Sequence, residues 1–147
     1  MLVVRLRLLV AAFWAGTLWT IGYVVAPTLF LSLHDNVLAG TIVGFLLNTS
    51  AWIAMVCTAL LLALTTGGAL TQGQRKSARL IMLAMLACAL VIYVGLQPVM
   101  AHLKLDAGAA GLAGTPQGRT FGILHGVSQL FYLAESILAG WLVLKLR

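Results

Sequence analysis

One acidic side chain lies inside an apolar stretch of this chain, Glu135, and other polar groups share its face. Counting about 100° per residue on a helix, His125, Ser128, Gln129, Tyr132, Glu135 and Ser136 fall within an arc of about 120°. Ile123, Leu130 and Leu138 fall outside it. In lipid such a face must look into a bundle or a wet cavity, because its polar groups have to find partners inside the protein. Burial favours the neutral carboxyl unless a cation pairs with it. Two roles then compete for Glu135. As a protonated carboxyl bonded to a neighbouring helix it holds the bundle in register. As an ionisable group it serves a proton relay or a ligand site. With no second acid or lysine in any other span, the register role comes first.

The remaining reactive types are sparse. His34, His102 and His125 are candidate metal ligands as a set, but no i,i+4 pair fixes a geometry for them. Taken alone, His125 reads as an interfacial hydrogen-bonding histidine before it reads as a haem or metal ligand. Cys57 and Cys88 sit in apolar runs without a CxxC or a spaced histidine, so they read as small packing residues. No Ser/His/Asp set, HExxH or phosphate-cradling glycine loop occurs.

The elements that position these residues follow from composition. The 147 residues carry nine Lys/Arg and three Asp/Glu, so charged side chains are 8% and hydrophobic ones 62%. A soluble domain of this size needs a polar shell that twelve charges cannot cover, and the mean hydropathy of +1.07 points to lipid. Disordered tails, disulfide-rich secreted modules and nucleic-acid binders are excluded as classes. Uncharged or nearly uncharged stretches give four spans, at about 8–33, 46–67, 80–102 and 119–144. Residues 37–47 either extend the second span or lie separately. The expected fold is all-α, an integral-membrane four-helix bundle in one transmembrane domain, 1–147. The first span is too long for a cleaved signal peptide and is expected to be retained.

The basic residues set an orientation. Arg5, Arg7, Arg75, Lys76, Arg79, Lys145 and Arg147 fall on one side of a four-span chain, and only Lys104 and Arg119 fall on the other. Seven against two places both termini in the cytoplasm. Within the spans, Gly40 and Gly44 form a GxxxG with Asn48 on the same stripe, a pattern that lets helices approach closely. Pro27 and Pro98 mark a kink or an end, the latter near Gly95, because proline removes a backbone donor and clashes with the preceding turn. Thr115-Pro116 reads as a cap and first-turn proline for the fourth helix.

The stretches Trp14-Ala15-Gly16, Pro27-Thr28-Leu29-Phe30, Ala39-Gly40 with Gly44, and His125-Gly126-Val127-Ser128 resemble a known family across almost the whole chain. It is the group of bacterial four-helix membrane proteins that includes the eukaryotic transmembrane protein 205, a domain of unknown function. The resemblance implies a four-span inner-membrane protein without an assigned biochemical role. A looser likeness runs to copper-resistance membrane proteins and to HemJ-type protoporphyrinogen oxidases. The oxidases carry a histidine before the tryptophan, where this chain has Arg5, Leu6 and Arg7.

The function expected is therefore a binding, permeation or structural component of a bacterial inner membrane, rather than an enzyme. The alternatives are a haem- or porphyrin-linked oxidoreductase and a copper-handling protein. No cofactor is expected on the first reading; haem or copper belongs to the alternatives. The lipid bilayer is the expected partner, together with a second copy of the chain or another membrane protein, and nucleic acid is not.

Overall fold

A computed structural model describes residues 2–66, 70–108 and 111–146. They form four long helices: α1 (Leu2–Ser32), α2 (Asn36–Thr66), α3 (Gln72–Ala107) and α4 (Pro116–Leu146). All four are long and apolar enough to cross a membrane, so the fold is an all-α bundle of the multi-pass type. A helix of 31 residues is about 46 Å long, well beyond the roughly 30 Å hydrocarbon layer, so its ends reach the headgroups or the helix tilts.

Local chemistry fixes where each helix begins. Asp35 accepts from the backbone N–H of Val37 at 2.8 Å and of Leu38 at 3.1 Å, which starts α2 at Asn36 rather than near residue 46. Residues 37–47 thus continue the second span. Thr71 and Gln74 close a reciprocal capping box at the start of α3. The Thr115 hydroxyl accepts from Gly118 N–H at 3.0 Å, with Pro116 in the first turn of α4. Gly108, with φ of 51°, ends α3 in a conformation that L side chains avoid.

The helices run up and down. Trp19 lies against Gly140 and Ser136, while Gly22 lies against Tyr132, so α1 and α4 are antiparallel. Along α4 the buried positions Ser128, Tyr132, Glu135, Ala139, Leu142 and Leu146 step by four and three residues, the spacing of a helix–helix seam. A similar seam on α3 is Ala78, Met82, Met85 and Ala89. These seams meet Ala11, Trp14 and Ala15 of α1 and Ala54, Cys57 and Leu61 of α2 in one packed cluster. Small alanines let the backbones approach, the usual device where lipid removes any hydrophobic drive between helices. The outer surface is the reverse of a soluble protein's: Leu9, Phe45, Trp52, Leu80, Val94 and Leu130 are exposed.

Neither proline ends its helix. In α1 the segment Thr20–Val25 is π-helical and Pro27 follows two residues later; in α3 the segment Val91–Leu96 is π-helical and Pro98 follows at the same offset. The backbone N–H of Ala26 bonds to Ile21 and that of Gln97 to Ile92, five residues back in both cases. The wider turn relieves the clash that a proline ring makes with the α-helical turn before it. Of the two outcomes expected near Gly95, a kink or an end, the end does not occur: a π-helical turn stands there and α3 runs on to Ala107. The Thr28 hydroxyl donates to the Val24 carbonyl of the preceding turn at 2.6 Å.

Candidate functional site

The two π-helical turns lie at the level where polar side chains gather in the bundle. Tyr132 of α4 donates its hydroxyl to the Leu18 carbonyl of α1 at 2.6 Å. Tyr23, inside the α1 π-turn, donates to Ser136 Oγ at 3.0 Å, and Trp19 Nε1 donates to the Ser136 carbonyl at 3.2 Å. The Tyr23 and Tyr132 rings meet edge to face at 6.2 Å. From the α3 π-turn, Tyr93 donates to the Leu47 carbonyl of α2. A β-carbon added at Gly22 would stand 2.8 Å from both Cζ and Oη of Tyr132, so the missing side chain is what admits the ring. Four hydrogen bonds therefore tie α1 to α4 and α3 to α2 through side chains that a hydrocarbon environment compels to pair.

Glu135 sits in this layer, 4% exposed. Tyr132 precedes it by one turn on α4, and Tyr93 of α3 packs against the same cluster as Tyr132. Among the hydrogen bonds of the described residues none reaches the Glu135 carboxyl; the bonds that fix helix register are made by Tyr23, Trp19, Tyr93 and Tyr132 instead. Ser128 bonds back to the His125 carbonyl of its own helix at 2.7 Å. Neither of two surface grooves, one along α1 and one between α1 and α2, includes Glu135.

The polar face is shorter than its sequence arc. Ser128, Tyr132, Glu135 and Ser136 are buried, but His125 and Gln129 are exposed. His125 continues the α4 seam beyond Ser128, where close packing has ended, and it stacks on Phe121 at 6.1 Å. Lys104 covers the other part of that outer end, 5.2 Å from the Phe121 ring centre. Gln129 lies one residue off the seam and turns outward. The expectation that His125 faces the interior beside Glu135 is corrected accordingly.

Two further expectations change. His34, His102 and His125 are all exposed, and among the described residues no three His, Cys, Asp or Glu side chains gather into a metal-holding group. The histidines thus do not form the metal site weighed from sequence. Gly44 has no atom within 4 Å of where a β-carbon would be, Gly40 meets only Lys104 Nζ at 3.6 Å and Phe30 Cζ at 3.8 Å, and Asn48 is exposed. The GxxxG stripe is not a close helix contact; Gly22 is. Sequence reading missed Tyr23, Tyr93 and Gly22 as site residues. Their available signal is a glycine and a tyrosine within the turn or two before each proline. Cys57 and Cys88 are free thiols, the first buried and the second half-buried.

A family model described as Domain of unknown function (DUF4149) matches residues 9–109. No curated protein and no solved structure matches the chain. The matched region takes in α1 from Leu9 onward, α2 and the whole of α3, hence both π-turns, and stops before α4 and Glu135.

Proposed function

This chain belongs to the DUF4149 family, and from that premise we propose that it is a membrane-embedded binding component whose interior site is the polar layer around Glu135. The ligand class that fits is a small cation or protonated amine, because the layer offers a carboxylate and aromatic rings and holds no basic side chain. One observation carries the reading: Glu135 is 4% exposed beside the Tyr23–Ser136 and Tyr132–Leu18 bonds, and no hydrogen bond among the described residues reaches its carboxyl. π-Bulges recur at functional sites, and an acid inside a membrane bundle marks a candidate site by default. The register role, first from sequence, is filled by the tyrosines and Trp19. A permanent pore is not what supports this reading, since neither groove touches Glu135; access would come through movement at the π-turns.

The setting we propose is a bacterial inner membrane with both termini in the cytoplasm, supported by the seven-to-two distribution of basic residues. Haem, porphyrin and copper readings gain no support from the geometry, because the histidines they would use are exposed and dispersed. The partner is lipid, with a second copy or another membrane protein as the further candidate.

The test is a thermal-shift screen of inorganic cations and small amines on protein purified in a neutral detergent. A stabilising ligand whose effect disappears in Glu135→Gln, with that variant melting close to the parent, supports the site. Shifts that survive Glu135→Gln, or no shift from any member of the panel, overturn it.

A further inference from the structure

α1 and α3 begin at the end of the bundle where α2 and α4 finish. There Arg7 of α1 is only 2% exposed, and its Nε and Nη1 have no hydrogen-bond partner among the described residues. Arg75 and Arg79, on the first two turns of α3, are half-buried, and the Nε of each is buried without a partner as well. All three stand near the starts of α1 and α3, at the same end of the bundle. Ala11, one turn beyond Arg7 on the same face, and Ala78, flanked by Arg75 and Arg79, belong to one packed cluster with Leu146.

No acidic side chain is placed to neutralise them. The chain has three: Asp35 caps α2 at the opposite end, Asp106 lies in the last turn of α3 at that same opposite end, and Glu135 is mid-bundle. Glu135 lies eleven residues before Leu146, about 16 Å away along α4. A buried guanidinium is costly unless its charge and its N–H groups are met. Arginine has five donors in a rigid fork and no acceptor, so three arginines cannot satisfy one another. The last carbonyls of α2 and α4 offer acceptors at this end but no full negative charge; an anion with several acceptor oxygens meets both needs, and the fork matches phosphate.

We propose that Arg7, Arg75 and Arg79 form a binding site for a phosphate group at this end of the bundle, with the phosphate oxygens accepting from the unpartnered Nε and Nη1 donors. The same chemistry is offered by the headgroup of an anionic phospholipid and by a soluble phosphate compound. The depth of Arg7, one helical turn outside the apolar cluster, is compatible with either. Exposed Arg5 and Lys76 nearby would add only diffuse attraction.

The experiment uses the full chain in a neutral detergent and follows its melting temperature. Micelles doped with phosphatidylglycerol should raise it by several degrees, and micelles doped with phosphatidylcholine should not. A rise with phosphatidylglycerol alone identifies a lipid headgroup; an equal rise with millimolar inorganic phosphate identifies a soluble phosphate ligand. Arg7→Gln and Arg79→Gln should each weaken the apparent affinity about tenfold or more. Should Arg7→Gln fail to fold, Arg75→Gln and Arg79→Gln, at half-exposed positions, decide the matter. Arg5→Gln and Lys76→Gln should change the affinity by less than about twofold. The proposal is overturned if neither anion stabilises the protein, or if Arg5→Gln and Lys76→Gln weaken binding as much as Arg79→Gln does.

Discussion

The Tyr132 hydroxyl donates to the Leu18 carbonyl two residues before the π-helical turn of α1. A side chain inserted at such a turn both holds the bulge and fixes the register of the two helices. Tyr132→Phe keeps the ring against Gly22 and removes only that bond. The expected loss is about 1 kcal/mol of unfolding free energy in detergent. An unchanged unfolding midpoint would mean that the hydroxyl contributes nothing to the pairing of α1 with α4.

Glycine positions separate close packing from mere occurrence of a motif. Gly22→Ala places a methyl in the Tyr132 ring and should destabilise by about 1–3 kcal/mol. In a Tyr132→Leu background the same change should cost much less, because the two residues are in contact. Gly44→Ala meets open space and should stay within about 0.5 kcal/mol of the parent. Chemical or thermal denaturation of the four variants checks this, and the reverse ranking would restore the GxxxG stripe as the helix contact.

Reporter fusions test the orientation. Fusions at residue 74 and at the C-terminus should report cytoplasm, and one at residue 110 should report the opposite side. Any other pattern removes the inward-termini topology.

Much of the fold was legible because hydropathy alone separates four apolar stretches, and Asp35, Thr71 and Thr115 are ordinary cap residues standing at their boundaries. Which face of each helix turns inward was far less legible. In lipid both faces are apolar, so Leu80 outside and Met82 inside look alike in sequence. Only α4 announces its face through polar residues, and even there the arc overran the packed seam at His125 and Gln129. The π-turns were hidden because a proline signals a disturbance without saying whether the helix stops, kinks or widens. Arg7 reads in sequence as a topology signal; its burial follows from the Ala11 and Trp14 face that it continues.

The most direct measurement of the Glu135 site is carbodiimide labelling of the intact protein in proteoliposomes, read by mass spectrometry of the modified peptide. Carbodiimides couple to protonated carboxyls, and a lipid-soluble reagent and a water-soluble one approach from different phases. An interior binding site opened by the π-turns predicts a single interior adduct, at Glu135, with both reagents, reduced by a cation that stabilises the protein and absent in Glu135→Gln. A protein that forms no Glu135 adduct with either reagent until it is unfolded would show the layer to be sealed packing, and would contradict the binding site.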